Sequence, residues 1–189
     1  MSPSFPETTL RTGRLVLRPF TAEDAEDVQH ACADEAAQRW LPIPSPYTMD
    51  DAIGWCTVRA HALRESGDGI HFAVTDVQTG KLVANVGLRE TDWESLTSEI
   101  GYWVSPWARD RGYAVDAVSA VTEWLFDEHR FQRLELRAAD GNTASQRVAV
   151  KAGFHREGVL RNAGVTHGGR VDIVLYSRVP DDRKGKIKS

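Results

Sequence analysis

The stretch Trp107-Ala-Arg-Asp-Arg-Gly-Tyr-Ala114 decides how this chain is read. It contains R-x-x-G-x-A, at Arg109, Gly112 and Ala114. The apolar run Ile100 to Val104 before it reads as a strand. Ala114, Val118, Val121 and Leu125, at i, i+4, i+7 and i+11, read as the apolar face of a helix that begins at once. A strand that turns over a glycine into a helix presents unpaired backbone N–H groups, and these bind phosphate oxygens without a side chain. Gly112 lets the backbone approach the anion, while Arg109 and Arg111 add positive charge. Residues 109–114 (Arg109, Asp110, Arg111, Gly112, Tyr113, Ala114) therefore read as a pyrophosphate cradle. Plain turn chemistry is the simpler alternative, and the stretch alone does not separate the two. No G-K-[ST] follows, which argues against a triphosphatase loop, and the three spaced glycines of a dinucleotide fingerprint are missing.

The other elements set the frame. Leu15-Val-Leu17 reads as a short strand. Thr21 with Asp24 opens a helix to about Ala33, and Thr48 with Asp51 opens another to about Arg64. Between them, Trp40-Leu-Pro-Ile-Pro-Ser-Pro-Tyr47 is expected to be a rigid aromatic loop, because its prolines forbid regular pairing. Strands are expected at Ile70–Thr75 and Leu82–Arg89, joined by a hairpin at Gln78-Thr-Gly80, and at Ser98–Val104. A helix over 113–130 follows, then a one-face-wet strand, Arg133–Ala138. Asn142 caps a short helix that stops at Gly153, and two last strands lie near Phe154–Arg161 and Arg170–Arg178 with a turn at Gly168-Gly169. The order β-α-α-β-β-β-α-β-α-β-β is that of a single mixed α/β domain, 1–180, with a tail, 181–189, expected to be disordered.

Composition narrows the function classes. No run approaches the roughly 20 apolar residues that span a membrane, and the N-terminal stretch lacks the basic and apolar regions of a secretory signal. Cys32 and Cys56 form no CxxC pair. The expectation is a cytoplasmic protein with reduced thiols, no membrane and no disulfide. The six histidines include no H-E-x-x-H, so no metal is expected. Residues 1–108 carry 8 basic and 16 acidic side chains, whereas 109–189 carry 15 and 11. Apart from chance variation, such asymmetry suits a positive half that holds a polyanion and a negative half that draws a cation. A net charge of −4 argues against nucleic acid as the main ligand.

Thirty residues beyond the cradle lies Asn142-Thr-Ala-Ser-Gln-Arg-Val-Ala-Val-Lys-Ala-Gly-Phe154. By itself this is a capped amphipathic helix. Taken with Gly13-Arg-Leu-Val-Leu-Arg-Pro19, Glu99-Ile-Gly-Tyr-Trp103, Glu157-Gly158 and Asp172-Ile-Val-Leu-Tyr176, the chain resembles the GNAT N-acetyltransferase superfamily over nearly its whole length. The match is nearest to the ribosomal-protein N-terminal (RimJ/RimL-like) branch. The resemblance implies a mainly antiparallel sheet flanked by helices, and acetyl-coenzyme A as acyl donor. Residues 109–114 would hold its pyrophosphate, the Tyr102, Trp103 and Val104 backbone its pantetheine arm, and Asn142 would bond that arm. Arg147 and Lys151, at i and i+4, can both face phosphate or simply form a solvated helix face.

The implied reaction is attack of an amine on a thioester carbonyl. An α-amine, with a pKa of about 7.7–8.0, is roughly one-tenth neutral at pH 7, whereas a lysine amine is neutral about once in 2,500. An N-terminal α-amine of a protein or peptide therefore asks less of a base. Small amines such as amino acids, polyamines and aminoglycoside-like compounds are the alternative acceptors. A catalytically silent acyl-coenzyme A-binding module is the alternative of another class. Glu99 and Glu157 are the candidate bases, and the resembled branch favours Glu157; an ion pair with a neighbouring arginine is the other reading of each. Many superfamily members carry an acidic tyrosine on the helix after the asparagine, but that position is Ala149 here. Ser145 is the substitute that the nearer branch implies, or else a polar residue in a helix's first turn. Trp40, Tyr47 and Trp55 are candidate walls of an acceptor pocket, although aromatics in such positions more often pack in a core. The oligomeric state is left open.

Overall fold

A computed structural model describes residues 3–186. The strands are β1 (Leu10–Arg11), β2 (Leu15–Arg18), β3 (His71–Asp76), β4 (Leu82–Asp92), β5 (Thr97–Val104), β6 (Arg133–Ala139), β7 (His155–Thr166) and β8 (Gly169–Arg178). They form one sheet in the order β1-β2-β3-β4-β5-β6-β8-β7. Every neighbouring pair is antiparallel except β5 with β6, which is parallel. The architecture is the mixed α/β domain that the order of elements implied, with the mainly antiparallel sheet that the resemblance implied.

Both faces of the sheet are covered. Helix α5 (Tyr113–Asp127) packs across β1, β2, β4 and β5, and α6 (Thr143–Lys151) packs against β6, β7 and α5. Ala114, Ala117, Val118, Val121 and Leu125 of α5 are buried at helical spacing. Ala117, Val118, Val121 and Leu125 close the larger core with Leu88, Ile100, Leu134 and Leu136. On the other face, helices α1 (Ala25–Ala33), α3 (Met49–Gly54) and α4 (Ala60–Ser66) enclose a second core around Phe20, Val28, Cys32, Tyr47, Cys56 and Ala73. This double cover explains why Leu82–Leu88 is buried at every position rather than at alternate ones.

Local features add to or depart from the expected outline, and strand β1 stands ahead of the first strand expected. Glu35–Trp40 is a short helix, α2, capped by Asp34, whose carboxylate accepts the Ala36 N–H at 3.1 Å. The expected loop begins only after it. Helices α3 and α4 are joined through a π-helical turn, Trp55–Arg59, so the helix opened by Thr48 and Asp51 continues to Ser66. The tail expected to be disordered from 181 continues as a 3₁₀ turn, Pro180–Lys186, in which Arg183 pairs with Glu123 and Asp127 at 3.0 and 2.7 Å. Residues 187–189 lie outside the described residues. Among the described residues, no helix is long and apolar enough to cross a membrane.

Candidate active site

The parallel pair of strands is short, and that shortness makes the site. Strand β5 pairs with β6 only from Thr97 to Glu99, opposite Arg133 to Glu135. Beyond that point β6 continues against β8 as far as Ala139, while Ile100–Val104 keep β4 alone as partner. The two strands fork, and the backbone of Tyr102–Val104 presents an open edge to the gap. The gap widens into a cleft of about 450 Å³, walled by Tyr102, Trp103 and Val104, by α6, by the turn into α5, and by Ala36, Ala37, Trp40 and Leu41 of and just after α2. Arg109, Asp110, Gly112, Tyr113, Ala114, Asn142, Ser145, Arg147 and Lys151 all line it; Arg111 does not.

At one end of the cleft, Gly112 is the N-cap of α5 with φ at +77°, a left-handed conformation that side-chain-bearing residues adopt only with strain. The first helical bond runs from the Asp116 N–H to the Gly112 carbonyl at 3.2 Å. The N–H groups before it have no partner within the helix and mark its positive end. Arg109 is anchored: its guanidinium grips Asp34 through two bonds of 3.1 and 2.6 Å, tying the cradle to α2. This grip draws the Asp34 carboxyl below its ordinary range. Arg14, from the loop before β2, stacks over the Tyr113 ring at 4.6 Å and brings its Nη2 to 3.1 Å from where a Gly112 Cβ would stand. Arg14 lies in the Gly13–Pro19 stretch, and the fold brings it to this turn from about a hundred residues away, a proximity that no local pattern encodes.

Along the opposite wall, Asn142 caps α6, its side-chain oxygen accepting the Ser145 N–H at 3.1 Å. Its amide nitrogen makes no protein hydrogen bond among the described residues. Ala144, Arg147, Val148 and Lys151 form the cleft-facing stripe of α6, so the two cations do lie on the face that meets the gap. Ala149 is fully buried beneath them. Ser145 meets the neighbouring strand: the Tyr102 hydroxyl donates to its Oγ at 3.0 Å. Burial pushes the Tyr102 phenol up to about 12.

The two glutamates differ sharply. Glu99 is the last β5 residue paired with β6, at the apex of the fork, and is only 5% exposed. Arg89 donates to its Oε1, and Arg137 Nε stands 3.7 Å from Oε2, which accepts no hydrogen bond among the described residues. Strand alternation puts Glu99 on the same face as Gly101 and Trp103. A Cβ built on Gly101 meets nothing within 4 Å, so there is open space beside the carboxylate. Glu157 sits at a bulge of β7, gripped by Arg133 through two bonds of 2.7 Å, and it accepts from Ser177 Oγ at 2.6 Å. The bidentate Arg133 bond, aided by Ser177, holds its carboxyl at about 2 against an ordinary 4.5. Such a depressed carboxyl contributes stability that is full above about pH 4.5 and is lost as the pH falls towards 2. In acid unfolding followed by circular dichroism, the wild type should therefore lose stability more steeply across that window than Glu157→Gln. Parallel curves would mean that the Arg133–Glu157 pair does not form in solution.

The three candidate aromatics part company. Trp40 lines the cleft, its ring lying over Gly141. Tyr47 is buried in the second core, and Trp55 packs against that core edge-on to Phe20 and His71. Neither lines the cleft. Among the described residues, no three His, Cys, Asp or Glu side chains gather as a metal site.

The acetyltransferase (GNAT) domain family matches residues 14–155. The chain belongs to the GNAT acetyltransferase family. Membership makes it an acetyl-coenzyme A-dependent acetyltransferase of the amine-acceptor class. The acetyltransferase is 29% identical over 170 residues to the uncharacterised N-acetyltransferase YoaA of Bacillus subtilis, covering 90% of this chain and 96% of that one. It is 31% identical over 181 residues to the probable N-acetyltransferase YjcK of the same organism, covering 93% and 99%. Its fold matches a ribosomal α-N-protein acetyltransferase, RimL, in complex with coenzyme A, with a TM-score of 0.83 at 17% identity, over 93% of this chain and 99% of that one.

Proposed function

We propose that this enzyme moves an acetyl group from acetyl-coenzyme A to the N-terminal α-amine of a protein or peptide. The observation that carries the reading is the fork itself. One cleft joins a helix N-terminus suited to phosphate with an unpaired strand edge, and the point where β5 and β6 part holds a buried carboxylate, Glu99, with one oxygen that accepts no hydrogen bond among the described residues. The donor set fits coenzyme A. The N–H groups at the start of α5 with Arg147 and Lys151 would hold the pyrophosphate and nearby phosphate. The Tyr102–Val104 edge and the Asn142 amide would hold the amide-bearing arm. When bound, acetyl-coenzyme A supplies an activated thioester.

The remaining work falls to the chain. A backbone N–H of Tyr102–Val104 would stabilise the developing oxyanion. Glu99 would take the amine's proton, directly or through one water, and the space over Gly101 would admit the amine beside it. Support for Glu99 over Glu157 comes from their partners. A carboxylate held at about 2 by a bidentate arginine is a weak base, whereas Glu99 Oε2 has no hydrogen bond among the described residues to give up. An α-amine suits a single carboxylate base better than a lysine does, because far more of it is already neutral at pH 7. A similarity to RimL, whose own description is of α-N-protein acetylation, points the same way.

The test is thiol release from acetyl-coenzyme A with a panel of acceptors. Peptides with free N-termini should be acetylated, and the same peptides with blocked N-termini and a free lysine should not. Turnover confined to small amines would replace the peptide reading with the small-molecule one. No turnover with any amine, despite coenzyme A binding, would favour the silent module.

A further inference from the structure

Two tyrosines line the cleft, and their hydroxyl groups are used differently. The Tyr113 hydroxyl is spent on Asp76 at 2.7 Å. The Tyr102 hydroxyl crosses from β5 to α6 and donates to Ser145 Oγ at 3.0 Å. A serine hydroxyl has one proton and two acceptor lone pairs. When one lone pair is filled by the phenol, the serine proton must point elsewhere. Ser145 itself borders the cleft, beside the β5 residue Tyr102. Ala149, one turn further along the helix, is sealed in the core and carries no donor.

We infer that Tyr102 is a positioning residue that orients and polarises the Ser145 hydroxyl as a hydrogen-bond donor to the sulfur that leaves during acetyl transfer. This rests on the coenzyme A reading above and deepens it. Hydrogen bonds in series strengthen one another, and a bond to an ionised acceptor is stronger than one to a neutral acceptor. As the N–C bond forms and the C–S bond breaks, the electron pair of the C–S bond stays on sulfur. The amine's proton goes to Glu99, Ser145 Oγ–H meets the thiolate, and sulfur regains a proton from solvent on release. Tyr102 stays protonated throughout: burial makes it a donor over the working pH range.

The pair can be tested without an acceptor, through the thiol of bound coenzyme A. An ordinary thiol ionises near 8.5. In the wild type, the thiol of bound coenzyme A, followed by thiolate ultraviolet absorption across pH, should ionise about one unit lower, a tenfold stabilisation of the thiolate. Tyr102→Phe should return most of that shift. Ser145→Ala should return all of it, and the double variant should match Ser145→Ala alone. The other charged groups bordering the cleft, Arg109, Asp110, Arg147 and Lys151, and Glu99 at the fork, are present in every variant, so their fields cancel in the comparison. Normal coenzyme A binding with the same thiol ionisation in wild type and Tyr102→Phe would overturn this inference alone. Absence of coenzyme A binding to the wild type would overturn the cofactor reading and this inference with it.

Discussion

Glu99→Gln is expected to lower turnover by about 10²- to 10⁴-fold with coenzyme A affinity unchanged, the contribution typical of a positioned base. Glutamine keeps the volume of the side chain and an oxygen for Arg89, and removes only basicity and charge. Glu99 stands at the last residue pair of the parallel strands, so its backbone is fixed from both sides, and its side chain is 5% exposed between two arginines. The loss should shrink as pH rises past about 8, because an α-amine then arrives neutral and the proton has easier routes away. Glu157→Gln should leave turnover within about threefold, as expected for a carboxylate committed to Arg133 and Ser177 rather than to a reacting proton. The reverse pattern, with a large loss at Glu157 and a small one at Glu99, would move the base to β7. Small losses at both would mean that orientation of a neutral amine is sufficient.

Gly112→Val is expected to weaken coenzyme A binding at least about tenfold in calorimetric titration, beyond its cost to the fold. Two physical effects act on the same residue. At φ +77° a β-branched side chain is strained by about 1–2 kcal/mol or more, and relief of that strain would turn the N–H groups of the first helical turn out of line. The added Cβ would also press on the Arg14 guanidinium, 3.1 Å away, which stacks on Tyr113 in the same turn. Gly112→Ala should do the same in smaller measure. A folded Gly112→Val variant that binds coenzyme A as the wild type does would mean that phosphate is held elsewhere.

Much of this architecture is legible in the residues, and the exceptions have physical causes. Strand β5 and helix α5 show plainly because Ile100–Val104 and Ala114, Val118, Val121 and Leu125 repeat with the periods of a strand and a helix, each with one face in the core. Helix α2 was hidden by its neighbours. The first helix is expected to end at about Ala33 and the proline-rich loop to begin at Trp40, which leaves 34–39 unassigned, although Asp34 before Glu35-Ala-Ala-Gln-Arg39 is a capped run of helix formers. Tyr47 and Trp55 show the limit of reading aromatics. Their type does not say which side of the sheet they meet, and α1 and α3 take them into a second core. The ion pairs of Glu99 and Glu157 were foreseeable as a class, but not the difference between them. That difference depends on Arg133 and Ser177 arriving beside Glu157 from β6 and β8. The contact of Tyr102 with Ser145 joins residues 43 apart through two hydroxyl groups, and no sequence pattern encodes it.

The most direct test of the account is a thermal melt of the wild-type protein with coenzyme A, acetyl-coenzyme A and ATP at matched concentrations. A ligand at 100 times its dissociation constant adds about 2.7 kcal/mol to the folded state. The cleft at the β5–β6 fork predicts a clear upward shift with coenzyme A and acetyl-coenzyme A. ATP, which carries phosphates but no arm to pair with Tyr102–Val104, should give a much smaller one. No shift at saturating coenzyme A, or an equal shift with ATP, would contradict it.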